Sequence, residues 1–239
     1  MWEIREREWQ AVQSDIDACR ECECEGLLEL VDPPPARPDN PGHSGRLLFI
    51  SEAPPIPGGF WEVGRKDALR ENLLTLLQEQ GFDFPSDFHS PEALDAFLAH
   101  GFFLLQTLKW PFAQREGTEG ERKRRPSFNH LGPAQQRRLI KHSVNAHLRR
   151  ELELIAPSGI LALGNAAWQA CGKLSQCPLP LQGGGFEAHL GKEYPMALPS
   201  GSIPLHVTYL PVEQNMKIPE RAQAIKKHLK DFLERAKQP

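Results

Sequence analysis

The fold class follows from ELIAPSGILALGNAA, residues Glu153–Ala167. A helical pattern stops at Ala156-Pro157, because the residue before a proline is disfavoured in the α-helical region. The next segment, Gly159–Leu163, is short and continuously apolar, which is typical of a strand buried on both faces. A second helical pattern, Asn165–Leu174, starts directly after Gly164. A helix, a buried strand and a helix in such close succession indicate an α/β protein with a parallel sheet.

The same alternation extends in both directions along the chain. Three more apolar runs predict strands, at Arg46–Ser51, Phe102–Leu108 and Pro204–Leu210. Helical spacing of apolar residues predicts helices within Glu3–Leu30, where a Cys-rich turn follows the helix, and at Asp67–Gln80, Pro91–His100, Gln135–Ile155 and Ile218–Lys237. The Gly-rich stretch between residues 174 and 204 is predicted to be irregular. We therefore expect a three-layer α/β/α sandwich around a central four-stranded parallel sheet. It is expected to form one domain over residues 1–239, with residues 1–45 as an N-terminal helix and Cys-rich loop packed on it.

The composition is that of a globular protein. The 239 residues are 40% hydrophobic and 25% charged, which excludes a disordered chain and a disulfide-dense scaffold. With 28 Lys plus Arg and 31 Asp plus Glu the net charge is −3, so a nucleic-acid signal has to be local. No apolar run approaches the roughly 20 residues that a membrane helix needs, and the charged start MWEIREREWQ does not resemble a secretory signal. We expect a cytoplasmic protein that does not bind membranes.

The binding crevice of a parallel sheet lies beyond the carboxyl ends of its strands. Four segments occupy that position here: SEAPPIPGGFW (51–61), QTLKWPFAQ (106–114), GNAAW (164–168) and LPVEQNM (210–216). We expect the functional residues to lie in these segments.

In this order, the four segments resemble the uracil-DNA glycosylase superfamily, most closely its iron-sulfur, family 4-like branch. SEAPP at 51–55 is similar to the family's G-E-x-P-G signature, and LLQTLKW at 104–110 is similar to T-N-V-V-K-C. The most specific match is Glu153–Ala167, which is similar to E-L-I-x-P-x-x-I-V-A-L-G-N-T-A. VTYLPVEQN at 207–215 stands where the family has its H-P-S motif and its DNA-wedging loop. The resemblance spans nearly the whole chain.

The resemblance implies a base-excision glycosylase. Such an enzyme flips uracil or another deaminated base out of DNA and hydrolyses its N-glycosidic bond. Two residues are expected to be catalytic: the carboxylate of Glu52 would orient water and favour the cationic sugar, and the carboxamide of Gln106 would read the edge of the base. The expected base-binding residues are Ala53, Phe60, Trp61, Gln106 and Asn215, with Phe60 or Trp61 as the aromatic surface that stacks on the base.

DNA, single- or double-stranded, is the expected partner of a monomeric protein. Residues 115–125, REGTEGERKRR, carry five basic and three acidic side chains, which gives a local charge of 5 − 3 = +2. Basic clusters bind DNA phosphates by releasing counterions. The expected DNA-binding residues are Arg122, Lys123, Arg124, Arg125, Asn165 and Gln214.

Leu210 stands where the family's H-P-S histidine falls, so the imidazole that would hydrogen-bond the departing base is missing. An alternative function is therefore a weakened or inactive module that binds flipped bases or abasic DNA. A third possibility is a nucleoside hydrolase that acts on free nucleosides.

The opening motif C-x-x-C-x-C also matches the family's first cysteines. Cys19, Cys22 and Cys24 can supply two or three thiolates to an iron-sulfur cluster or to zinc. The positions of the family's third and fourth cysteines fall on Trp110 and near Val144. Candidates for a further ligand are His142, His147, Cys171 and Cys177, and three reduced thiols without a metal are the alternative.

Overall fold

The computed structural model describes residues 2–20, 29–30, 36–40, 46–55, 59–113, 131–179 and 185–236. The strands are β1 (Glu29–Leu30), β2 (Leu47–Ser51), β3 (Phe102–Gln106), β4 (Phe112–Ala113), β5 (Gly159–Leu163), β6 (Glu193–Leu198) and β7 (Gly201–Thr208). The α-helices are α1 (Trp2–Ala18), α2 (Ala68–Glu79), α3 (Pro91–Ala99), α4 (Pro133–Ser143), α5 (Arg149–Ile155), α6 (Asn165–Leu174), α7 (Glu213–Met216) and α8 (Pro219–Ala236). A π-helical segment, Val144–Leu148, joins α4 to α5, and a 3₁₀ turn covers Phe186–His189.

The parallel part of the main sheet confirms the α/β class. The strand order is β3-β2-β5-β7-β6, and β2 pairs in parallel with both β3 and β5, while β5 pairs in parallel with β7. All residues of β3 and β5 are buried, which explains their continuous apolar sequences. The two residues of β1 pair with those of β4 in a separate antiparallel ladder.

The sheet differs from the predicted four-stranded one by an additional edge strand. β6 runs antiparallel to β7, with Tyr194 opposite Leu205 and Met196 opposite Ile203. The expected all-parallel sheet is therefore wrong on this side, and so is the prediction that all of residues 175–203 are irregular. Pro195 interrupts the strand pattern in the sequence, and a proline is tolerated there because β6 is an edge strand.

Helices pack against both faces of the sheet. Phe49 of β2 contacts Phe97 of α3 and Phe232 of α8, with ring centroids 5.9 and 6.1 Å apart. Phe103 of β3 contacts Trp9 of α1 at 5.8 Å. Phe103 is paired with Leu48, the neighbour of Phe49, and successive strand residues point to opposite faces. The helix α1 therefore covers the face opposite that covered by α3 and α8. None of the helices in the described part of the chain combines the length and the hydropathy that a membrane-spanning helix requires.

The chain order creates a switch point between β2 and β5. After β2 the chain moves outward to β3 on one side, whereas after β5 it moves outward to β7 on the other. The connections therefore diverge at the carboxyl ends of β2 and β5, and this divergence leaves a crevice in open α/β sheets.

Candidate functional site

A crevice of about 1340 Å³ lies at this switch point. Each of three neighbouring parallel strands contributes residues to it: Glu52 follows β2, Gly164 and Asn165 follow β5, and Tyr209 follows β7. Further lining side chains include Arg137, Trp168, Gln169, Lys173, Phe186, Glu187, Leu210, Glu213, Gln214, Asn215 and Arg221. The predicted residues Glu52, Asn165, Gln214 and Asn215 are thus brought together around one cavity.

The turn from β5 into α6 needs glycine at its centre. Gly164 has φ = 90°, a conformation that L side chains rarely adopt, and a Cβ there would lie 3.4 Å from Cβ of Leu210. Its N–H donates to the carbonyl of Thr208 at 2.8 Å, which joins this turn to the end of β7. This contact brings together Gly164 and Leu210, which both line the crevice.

Side-chain hydrogen bonds hold the loop that follows β7. The amide of Asn215 donates to the carbonyl of Leu210 at 2.8 Å, and its Oδ1 accepts a hydrogen bond from Arg221 at 2.8 Å. The guanidinium of Arg221 also lies 5.1 Å from the ring centroid of Tyr209. Asn215, expected to contact a base, therefore bonds Leu210 and Arg221 in this structure.

Tyr209 and Phe186 provide the accessible aromatic surface of the crevice. Their rings meet edge to face with centroids 6.0 Å apart, and both side chains are only partly buried. Trp168 also borders the crevice but is buried, and its ring packs on those of His189 and Tyr194, which contact each other. Sequence reasoning missed both accessible rings. The sequence could have indicated Tyr209, since it lies in VTYLPVEQN (207–215), one of the segments that resemble the family. Phe186 lies in the stretch that was predicted to be irregular, so no pattern pointed to it.

Phe60 and Trp61 do not form the expected stacking surface. They are 1% and 8% exposed, and neither ring is among the described residues that line the crevice. Phe60 packs on Phe97 at 5.1 Å, and the indole of Trp61 donates to the carbonyl of Leu104 at 3.2 Å. The physical reason is that β3 ends the sheet in the described part of the chain, so apolar side chains are needed to cover this edge.

Gln106 is also buried, at 9% exposed, and is not among the described crevice residues. Its loop is nevertheless joined to that of Glu52, because the N–H of Leu108 donates to the Glu52 carbonyl at 2.8 Å. Ala53 is half-buried beside Glu52. The structure therefore separates the predicted pair: Glu52 lines the crevice, whereas Gln106 is buried and is not among the described lining residues.

The segment after β3 is anchored by a buried ion pair. Lys109 contacts the carboxylate of Glu151 and donates to the carbonyl of Gln106 at 2.6 Å, and both charged side chains are buried. Burial lowers the pKa of Lys109, and the charge of Glu151 opposes that shift. Ser143 adds a hydrogen bond to the carbonyl of Thr107. These contacts fix the loop through helices α4 and α5.

A candidate metal group is formed by Cys19, His142 and His147. Sγ of Cys19 is 3.3 Å from Nε2 of His142, and one ligand atom from each of Cys19, His142 and His147 lies within 4.8 Å of the others. His147 is 6% exposed, and neither of its ring nitrogens has a hydrogen-bond partner among the described residues. Burial, helped by the charge of Lys109, lowers the pKa of His147 to about 4. Its imidazole is therefore neutral at neutral pH, which is the form that binds metals.

Two groups of predicted residues lie outside the described part of the chain. They are the basic run Arg122, Lys123, Arg124 and Arg125, and the cysteines Cys22 and Cys24.

No protein-family model matches the chain, and no curated protein matches it.

Proposed function

We propose that this chain is a DNA base-excision glycosylase that hydrolyses the N-glycosidic bond of uracil or another deaminated base after base flipping. The observation that carries the proposal is the position of Glu52. Its carboxylate lines a crevice at the switch point of a parallel sheet, where α/β proteins bind their ligands.

Cleavage of this bond builds positive charge on the sugar and negative charge on the departing base. A carboxylate beside the sugar stabilises the first charge and orients the attacking water. Glu52 is suited to this role because it directly follows β2, whose last four residues are buried. Water supplies the oxygen that bonds to C1′, its proton goes to Glu52, and the base leaves with the electron pair of the broken bond.

The remaining wall of the crevice suits a flipped nucleotide. Tyr209 and Phe186 offer ring surface for stacking, and the amides of Asn165 and Gln214 offer polar groups for the edge of the base. Arg137 and Lys173, both exposed, place positive charge near the mouth for phosphates. At about 1340 Å³ the crevice exceeds the roughly 300–1,000 Å³ of pockets for small molecules. Its size favours a nucleic acid strand over a free nucleoside.

A binding module is the second candidate function, and Leu210 is the observation that favours it. Leu210 lines the crevice and offers no side-chain donor to a departing base. Loss of one such donor typically costs about 10²- to 10³-fold in rate. With Leu210 at this position, the protein would lose rapid hydrolysis of the N-glycosidic bond before it lost recognition of the base.

Both functions are tested by measuring binding and cleavage on one set of oligonucleotides, single- and double-stranded, containing uracil, hypoxanthine or xanthine. We expect base release by the unmodified protein, and a rate about 10²- to 10⁴-fold lower for Glu52→Gln with little change in DNA affinity. Glu187→Gln is the matched control, since Glu187 is an exposed carboxylate on the same crevice. Binding without release by the unmodified protein would establish the second function, and neither binding nor release would exclude both.

We also propose a metal centre in which Cys22 and Cys24 add thiolates to the Cys19, His142 and His147 group. The resemblance noted in the sequence leaves an iron-sulfur cluster and zinc as alternatives. Metal and sulfide analysis of anaerobically purified protein tests this proposal, and protein that neither contains nor takes up a metal would refute it.

A further inference from the structure

Arg221 differs from the other basic side chains of the crevice in its exposure. In the described part of the chain, three basic side chains line the crevice: Arg137, Lys173 and Arg221. Arg137 and Lys173 are exposed, whereas Arg221 is half-buried. Because a partly buried charge is screened less by salt than an exposed one, Arg221 acts more strongly on a charge that forms inside the crevice.

The positive charge of Arg221 is not matched by a neighbouring carboxylate. Its Nη1 donates to Oδ1 of Asn215 at 2.8 Å, and its guanidinium lies 5.1 Å from the ring centroid of Tyr209. Within the described ranges Arg221 forms no ion pair, and Glu213 on the adjacent loop is paired with Lys217 instead. A guanidinium carries five N–H donors, so donors remain for an anionic ligand.

The position of Arg221 in its helix is electrostatically unfavourable. Arg221 lies in the first turn of α8, where the helix dipole favours negative charge and disfavours a cation. Glu220, its exposed neighbour, agrees with that preference. A residue that opposes a local preference without an evident structural gain is typical of a functional site.

Arg221 is fixed next to the position where the sequence lacks an imidazole. Asn215, which accepts from Arg221, donates its amide to the carbonyl of Leu210 at 2.8 Å. From the other side, Asn72 of α2 donates to the carbonyl of Pro211 at 3.0 Å. A donor that is held in place before the reaction stabilises developing charge without the cost of reorganisation.

We infer that the guanidinium of Arg221 stabilises the negative charge on the departing base and replaces the missing imidazole. This inference rests on the proposed glycosylase function and adds a catalytic residue to it. When the bond from C1′ to the base breaks, its electron pair stays on the base, and the charge spreads to the carbonyl oxygens of the base. Arg221 donates a hydrogen bond to such an oxygen and keeps its proton, since a guanidinium remains protonated in proteins. The released base takes its proton from water.

A contact to a DNA phosphate is the alternative role for an arginine in this crevice. Loss of a phosphate contact weakens DNA binding and reduces its dependence on salt. It changes the reaction of every base by the same factor, because the phosphate charge is constant during the reaction. Loss of a donor to the departing base instead matters most for the base that leaves least easily.

The test compares release of uracil and of 5-fluorouracil from otherwise identical oligonucleotides, in single turnovers with saturating protein. Fluorine withdraws electrons, so 5-fluorouracil leaves as the more stable anion and needs less stabilisation. We expect Arg221→Met to slow uracil release about 10²- to 10³-fold and to slow 5-fluorouracil release by a factor at least about tenfold smaller. DNA affinity should change by no more than a few-fold.

Two further variants make this test specific. Arg221→Lys keeps the charge and should recover part of the rate, and it carries the comparison of the two bases if Arg221→Met does not fold. Arg137→Gln is the matched control, since Arg137 is an exposed arginine of the same crevice. We expect it to weaken DNA binding and to affect release of both bases equally.

The other outcomes separate this inference from the proposed function. Equal slowing of both bases by Arg221→Met, or an unchanged rate with weaker DNA binding, would overturn the role of Arg221 at the departing base and leave the glycosylase function standing. If the unmodified protein releases neither base, the glycosylase function fails, and the role of Arg221 fails with it.

Discussion

Tyr209 is the residue whose ring is best placed to stack on a base in the crevice. Its ring contacts Phe186 and Arg221 and is partly exposed in the crevice, whereas Phe60 is buried in the core. Because stacking of a base on an aromatic ring contributes about 1–3 kcal/mol, we expect Tyr209→Leu to weaken binding of uracil-containing DNA roughly 5- to 150-fold. Fluorescence anisotropy measures this affinity.

Two further variants make the test of Tyr209 specific. Tyr209→Phe keeps the ring and should bind within a few-fold of the unmodified protein. Phe60→Leu should lower the free energy of unfolding by roughly 1–2 kcal/mol with no loss of affinity, because it alters packing alone. If Phe60→Leu lost affinity for DNA and Tyr209→Leu did not, Phe60 rather than Tyr209 would be the residue that stacks on the base.

Lys109 and Glu151 form a buried ion pair whose two members depend on each other. Lys109→Met leaves the Glu151 carboxylate buried without its cation, and such a change costs about 3–5 kcal/mol of stability. The double variant Lys109→Met, Glu151→Leu removes both charges and should recover most of that loss. Urea unfolding of the four proteins in this cycle measures the coupling. A double variant as unstable as the single one would show that packing, not charge, dominates at this site.

At the scale of elements, the turn between β5 and α6 is the most constrained connection around the crevice. Gly164→Ala should lower the free energy of unfolding by about 1–3 kcal/mol, because alanine is strained at φ = 90°. The added Cβ would also touch Cβ of Leu210, which lines the crevice, and relief of the backbone strain would move this turn, so we expect altered DNA binding. Gly132→Ala is the control, since Gly132 has φ = −60° and precedes α4 at an exposed position. Equal effects of both changes on stability would contradict the role given to the turn.

Elements with strong local signals were predictable from the sequence. The predicted strand Gly159–Leu163 and helix Asn165–Leu174 have the same bounds in the structure, because Pro157 and Gly164 mark both boundaries. The strand β6 was missed, although Tyr194, Met196 and Leu198 alternate as in a half-buried strand. Its signal is short and is interrupted by Pro195, so it resembles the irregular stretch before it.

Features that depend on strand order or on long-range packing were not predictable. Whether Trp61 stacks on a ligand or covers an edge depends on which strand lies outermost, and local sequence does not determine that order. The Cys-rich motif indicated a metal, and His142 and His147 were among several candidate ligands. Their meeting with Cys19 depends on the π-helical turn, for which the sequence contains no recognised signal.

At the scale of the whole molecule, the loop after β3 connects the two candidate sites. Leu108 is bonded to the Glu52 carbonyl on the crevice side, and Trp110 is bonded to Ile16 beside the metal group. Lys109 lies between them and is tied to α5 through Glu151. The same loop therefore contacts both sites. We expect that a change which disrupts the metal group will also shift the loop and alter the crevice.

The pH dependence of unfolding depends on how α8 packs on the sheet. His206 of β7 packs on Phe232 of α8 at 5.4 Å, and His228 of α8 contacts Oγ1 of Thr208 at 3.1 Å. Burial lowers the pKa of both histidines; Glu193 and Asp231 oppose the shift at His206, while Arg235 adds to it. At His228, Asp231 opposes the shift, whereas Lys227 and His206 add to it.

Both histidines therefore take up protons more readily in the unfolded chain, where their pKa is near 6.5, than in the folded one. Their contribution is fully present above about pH 6.5 and is lost as the pH falls through the lowered folded-state values, with a slope of up to about 1.4 kcal/mol per pH unit for each proton. We expect stability to fall between pH 7 and pH 5, and His206→Asn to reduce the slope of that fall. Urea unfolding of both proteins across this range measures the slope. Because the other titrating groups are common to the two proteins, an unchanged slope in His206→Asn would mean that His206 is protonated equally in the folded and unfolded chain.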